Sequence, residues 1–138
     1  MTNNDIYDIA RSYSEAVNDR DWDRLRNQVL APDVEAWSQS SQFLERGPDE
    51  IVAALQKTSG LLDNVQIEVM NSVIGDDQAV LELRLSGTTR DSNGTPSGST
   101  TIEPGVPVFL NTCHVYRVRD GKIVHVTTYS DRTFRRQA

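Results

Sequence analysis

Read from the amino end, apolar side chains fall at Ile6, Ile9, Ala10, Tyr13, Ala16 and Val17, the spacing of one helical stripe, and predict a helix that runs to about Asn18. Asp21 then offers a cap for a second, short helix with Trp22, Leu25 and Val29 inward. Ala31-Pro32-Asp33 ends it, because a residue before proline avoids helical geometry. Val34 to Gln39 reads as a short strand. Gly47-Pro48-Asp49-Glu50 starts a third helix, with proline in the first turn and two carboxylates at the positive end of the dipole. That helix continues through Ile51, Val52 and Leu55 to about Thr58.

After Gly60 the period changes from 3.6 to 2. Val65, Ile67, Val69 and Val73 share one parity, Gly75-Asp76-Asp77 makes a turn, and Leu81, Leu83 and Leu85 follow, which together predict a hairpin. Residues 87–105 hold almost nothing apolar and are dense in Gly, Ser, Thr and Pro. They read as a long loop, and 88–104 are expected to be flexible and to cover a pocket mouth. Two last strands, about 106–119 and 122–132, meet at Arg119-Asp120-Gly121-Lys122, a hairpin signal. Helices followed by consecutive antiparallel strands define a single α+β domain over residues 1–138, in which a curved antiparallel sheet wraps the long N-terminal helix and two further helices complete it. On the strand 106–119 both faces are partly apolar: Val106, Val108, Leu110, Tyr116 and Val118 on one, Phe109, Cys113 and Val115 on the other. Helices cover only one face of an open sheet, so a homodimer through the other is expected.

The composition removes several classes of function. At 138 residues the chain buries roughly 70% of its unfolded surface and needs no cross-links or structural metal to fold. Cys113 is the one cysteine, and His114 and His125 are the two histidines, so a disulfide framework is excluded and no metal or cofactor is expected. A net charge of -6 with two Lys argues against nucleic acid. No apolar run reaches membrane length and no leader pattern opens the chain, so a cytoplasmic protein without membrane contact is expected. The basic cluster Arg132, Arg135 and Arg136 reads as a solvated tail.

YSEAVNDRDWDRL followed by APDV, and HVYRVRDGKIVHVTTYSD near the end, resemble the ketosteroid-isomerase and SnoaL-like polyketide-cyclase group of the nuclear transport factor 2 superfamily. The resemblance implies a cone-shaped α+β barrel with an interior pocket for an apolar small molecule, usually in a dimer. It leaves the reaction open, since the group includes isomerases, cyclases, epoxide hydrolases, dehydratases and binders. It places Tyr13 as an oxyanion-hole tyrosine and His114 as the second donor to the same oxygen, where the isomerases carry a carboxylic acid kept neutral by its apolar surroundings. An imidazole near its intrinsic pKa of ~6.5 would also shuttle protons. Where the isomerases carry a base, this chain has Trp37-Ser38. Where limonene epoxide hydrolases carry their triad, it has Arg84-Leu85-Ser86 and Thr128.

Each of these residues also has a plain structural reading. Tyr13 fits a core stripe, and Trp37 is either an aromatic wall for a flat ligand or ordinary core. Glu82 and Arg84 fit the solvent face of a hairpin, with His125 and Asp77 at the surface. Cys113 and His114 are strand neighbours and point to opposite faces, so they do not form a nucleophile–base pair. Asp131, in Tyr129-x-Asp131, depends on the turn. A two-residue type I′ loop puts Ile123, His125, Thr127, Tyr129 and Asp131 on the face of His114. A bulge at Gly121 puts Val124, Val126, Thr128 and Ser130 there instead. Asp131 is thus a candidate base, while Trp37, Tyr116, Val126 and Thr128 are candidate substrate contacts. The expected function is a cofactor-independent acid–base enzyme, a cyclase, isomerase or dehydratase of secondary metabolism or related catabolism, acting on an apolar polyketide-, steroid- or terpenoid-like carbonyl compound. The alternatives are a non-catalytic binder of the same fold, an epoxide hydrolase with a degenerate triad, or an assembly module.

Overall fold

The computed structural model describes residues 1–90, 103–131 and 133–137. Most of the expected loop, and Arg132, lie outside the described residues. Helix α1 (Asn3–Asn18) opens on a capping box in which Thr2 Oγ1 accepts from the Asp5 amide at 3.2 Å and the Asp5 carboxylate accepts from the Thr2 amide at 2.9 Å. Its buried face carries Ile6, Ala10, Tyr13, Ser14, Ala16 and Val17. Asp21 caps α2 (Trp22–Arg24), which continues as a π-helical turn, Leu25–Val29, that buries Leu25 and Val29. The strands are β1 (Leu30–Ser38), β2 (Phe43–Arg46), β3 (Leu62–Ile74), β4 (Gln78–Thr89), β5 (Pro107–Arg119), β6 (Lys122–Ser130) and the short β7 (Arg135–Arg136); α3 (Gly47–Ser59) falls between β2 and β3.

The sheet has seven strands in the order β2-β1-β6-β5-β4-β3, with β7 on β5. The α+β curved sheet around α1 is found, with one difference from expectation: β1 runs parallel to β6, so the sheet is mixed. Period-2 alternation carries no strand direction, and the chain reaches β6 only after the whole of β3 to β5. Strand β2 was not expected, because Phe43-Leu44-Glu45-Arg46 is short and half-exposed. Gly87 to Thr89, expected in the loop, complete β4. Thr89 is buried, and its hydroxyl donates to the Glu103 carbonyl at 2.6 Å while accepting from the Val106 amide at 2.9 Å, so it ties together the two ends of the intervening stretch.

The helices cover one face of the sheet, the inner face. Ile6, Leu25, Val34, Ile51, Val52, Leu81, Ile123 and Val126 form the main core there. Asn18 fixes α1 to the edge strand β3, donating to the Ile67 carbonyl at 2.9 Å and accepting from its amide at 2.7 Å. This pair of bonds satisfies the backbone groups of Ile67 on the edge of the sheet.

The β5–β6 hairpin combines both expected registers. Asp120 and Gly121 have φ of 53° and 78°, and Arg119 faces Lys122, a two-residue type I′ turn. A bulge follows at once: Val118 faces Ile123, but Arg117 faces His125, leaving Val124 extra. Beyond it His114 faces Thr128 and Tyr116 faces Val126, the pairing expected from a bulge at Gly121 although Gly121 belongs to a regular turn. Among the described residues, no helix is long and apolar enough to cross a membrane.

Candidate functional site

Three rings meet on the inner face. Helix α1 delivers Tyr13 from its apolar stripe, while alternation on β5 turns His114 and Tyr116 to the same side. The centroids lie 5.7 Å apart for Tyr13–His114, 5.5 Å for Tyr13–Tyr116 and 5.5 Å for His114–Tyr116, with edge-on or tilted planes. Tyr13 is 4% exposed, His114 8% and Tyr116 0%. The sequence-derived pair is therefore brought together, and Tyr116 joins it as a direct hydrogen-bond partner: His114 Nδ1 and the Tyr116 hydroxyl are 2.7 Å apart.

Burial sets the charge states. Removal from water holds His114 down at about 4, so the ring is neutral near pH 7. It is a hydrogen-bonding group there, and the expected proton shuttle at neutral pH does not fit this environment. Burial also raises Tyr13, with Glu45 adding to the shift, and raises Tyr116 further, first by burial and then through Tyr13. Both phenols stay protonated. The His114–Tyr116 pair leaves one donor for a ligand in either tautomer. If Tyr116 donates to Nδ1, the proton on Nε2 is left over; if Nδ1–H donates to Tyr116, the phenol proton is. Ser14 Oγ is buried and has no hydrogen-bond partner among the described residues, although it lies close enough to Tyr116 to oppose the rise of its pKa.

Beyond this cluster the inner face carries less deeply buried side chains. Ser38, Thr128 and His114 form one cross-strand row, and Thr112, Ser130, Leu85 and Leu110 are half-buried beyond it. Val126 is buried beside Tyr116, and Thr128 lies opposite His114, so both candidate contacts share the cluster's face. Glu45, which sequence reasoning missed, is also on this face. It sits opposite Ala36, Ala36 is opposite Val126, and a row thus runs from Glu45 to Tyr116.

Other candidates lie elsewhere. Trp37 pairs with Thr127 on the outer face, and its indole donates to Gln39 Oε1 at 2.9 Å, so it forms no wall beside Tyr13. Asp131 also falls on the outer side. Its carboxylate accepts from the Asn111 amide at 3.3 Å and pairs with Arg135 at 3.6 Å, because the Val124 bulge turns Ser130 rather than Asp131 inward. Arg84 stacks on Phe109, 4.6 Å from the ring centroid, and donates to Asn111, which separates it from Thr128 and leaves the epoxide-hydrolase triad unassembled.

A cleft of about 630 Å³ opens mainly on the outer face beside Glu82, Cys113, Tyr129 and Asp131. Tyr13 and His114 do not line it. Burial and the neighbouring Glu82 raise the Cys113 thiol, which opposes a nucleophilic role. The ring cluster therefore has the stronger claim to chemistry: its polar groups are close together and held in low dielectric. Among the described residues, no group of three or more His, Cys, Asp or Glu could hold a metal ion.

A curved mixed sheet folded over a long helix, with two further helices, is the nuclear transport factor 2-like fold. Residues 10–126 match the SnoaL-like domain family, and the chain belongs to that family. Among solved structures it is similar to AclR, a candidate hydroxylase from Streptomyces galilaeus, with 17% identity and a TM-score of 0.77 over 95% of this chain and 81% of that one. It is similar to IdmH, a candidate polyketide cyclase from Streptomyces antibioticus, with 23% identity and a TM-score of 0.76 over 91% of each chain. An LEH-like epoxide hydrolase from M. tuberculosis shares 16% identity, with a TM-score of 0.69 over 94% of this chain and 84% of that one. At these identities the likeness defines the fold. No curated protein matches the sequence.

Proposed function

We propose that this protein is a cofactor-independent acid–base enzyme, a cyclase, isomerase or dehydratase, acting on an apolar polyketide-, steroid- or terpenoid-like carbonyl compound in the interior of the cone. The observation that carries this reading is the convergence of Tyr13 and the His114–Tyr116 pair, neutral donors held 5.5–5.7 Å apart by ring centroid. A carbonyl oxygen placed among them would receive hydrogen bonds that strengthen as negative charge develops on it, and the dry surroundings would enlarge that gain. The half-buried stretch formed by Leu85, Leu110, Thr112 and Thr128 supplies mixed apolar and hydroxyl contacts for the rest of the molecule. The homodimer and the cytoplasmic location expected from the sequence accompany this reading.

A second reading, a binder of the same fold without chemistry, draws on the same donors and on Trp37-Ser38, which place no acid on the inner face of β1. Flat polycyclic ketones and phenols separate the two, since both readings expect binding and only the first expects turnover. On a compound that is turned over, Tyr13→Phe and His114→Ala should each lower kcat by about 10²–10³-fold. Because both side chains act on one developing charge, the double variant should lose less than the product of the two. Near-wild-type rates in both single variants would remove the ring cluster from the mechanism.

A further inference from the structure

Rearranging a carbonyl compound needs a group that takes a proton from carbon as well as donors to the oxygen. The ring cluster lacks one: both phenols are protonated, and His114 is buried and engaged with Tyr116. Glu45 shares the inner face, in the row Glu45, Ala36, Val126, Tyr116. It is half-buried on the edge strand β2, and its neighbour Arg46 pairs with Glu35 at 3.4 Å. Strand alternation sends Arg46 and Glu35 outward together and leaves the Glu45 carboxylate inside without that cation.

We infer that Glu45 is the catalytic base of this site, facing the ring donors across the bound ketone. The inference rests on the function proposed above. In the step, a Glu45 carboxylate oxygen takes the α-proton, the C–H electron pair becomes the new C=C bond, and the carbonyl π pair moves to oxygen under the Tyr13 and His114–Tyr116 donors. The protonated Glu45 then returns its proton. In an isomerisation it goes to another carbon of the dienolate. In a cyclisation the enolate carbon bonds to a second carbonyl carbon, and the alkoxide formed takes the proton. Atoms and charge balance in both without a further reagent. Burial, followed by the charge of Glu50 on α3, raises the Glu45 carboxyl, which makes its ionised form a stronger base. Glu45 in turn raises Tyr13, which places the two groups within electrostatic reach.

The test is exchange of the α-protons of 2-tetralone in D2O, followed by ¹H NMR on the full-length wild type and on Glu45→Gln, Glu45→Asp and Tyr13→Phe. The wild type should accelerate exchange above buffer. Glu45→Gln should lower that acceleration by about 10²–10⁴-fold, abolish the acidic limb of its pH profile and leave the Kd for tetralone unchanged; Glu45→Asp, which keeps the carboxylate, should retain part of the rate. If Glu45→Gln keeps both the wild-type rate and the acidic limb while Tyr13→Phe loses rate, Glu45 is not the base and the proposed function stands. If the wild type gives no acceleration, the functional reading and the role of Glu45 fall together.

Discussion

At His114, burial removes the water that would solvate an imidazolium, and the pKa falls to about 4. The same group titrates near ~6.5 in an unfolded chain. Between those two values the unfolded state binds the proton that the folded state refuses, so stability is complete above about pH 6.5 and drains away as pH falls toward 4. The groups that face His114, Tyr13 and Tyr116, stay neutral throughout and cannot compensate. For a side chain only 8% exposed, the difference amounts to about 3 kcal/mol. Urea midpoints measured at pH 7, 5.5 and 4 should fall accordingly, and His114→Gln should flatten that fall. Tyr13 and His114 were legible in the sequence because each lies in a phrase that resembles a family, and His114 also interrupts an apolar strand face. Tyr116 was expected as a substrate contact and not as the partner of His114, since its bond to Nδ1 depends on two rings turning the same way. Glu45 lacked any signal, because its strand was not recognised.

At the scale of the elements, Gly87 shows how a polar run was misread. Gly87-Thr88-Thr89 carries no apolar side chain, yet it forms the end of β4, where Gly87 pairs with Val108. A Cβ on Gly87 would lie 2.9 Å from the Asp63 carbonyl oxygen and 3.0 Å from Leu62 Cβ. Backbone on one side and a buried leucine on the other leave little room to yield, so Gly87→Ala should destabilise the fold by about 1–3 kcal/mol, read as a lower urea midpoint with unchanged slope. The three helices, the β3–β4 pair and the β5–β6 hairpin were all readable from periodicity and turn residues. The register of the last hairpin was not, because its type I′ turn is encoded by Asp120-Gly121 while the compensating bulge at Val124 has no residue signature. That one extra residue faces Thr128 toward His114 and sends Asp131 to the outside.

For the molecule as a whole, the outer face of the sheet carries apolar side chains on the side away from the helices. Val73 and Tyr129 are exposed on it, Cys113 and Val115 are half-buried, and Phe109 is covered by the Arg84 guanidinium. A second copy of the chain would cover this face, so light scattering at tens of micromolar should give twice 15.4 kDa, whereas a mass of 15.4 kDa would remove the dimer. The parallel docking of β1 on β6 has a different kind of consequence, one of timing. Protein synthesis delivers α1, β1 and β2 first, and one edge of β1 gains its partner only when residues 122–130 arrive. Until then the apolar stripe of α1, Tyr13 included, has no finished sheet to lie against. The growing chain must therefore carry an unshielded helix through several seconds of elongation, at about 5–20 residues per second. A chain that stops short of β6 lacks more than its last hairpin: it leaves β1, made near the start, with one edge unpaired and the ring cluster without its floor.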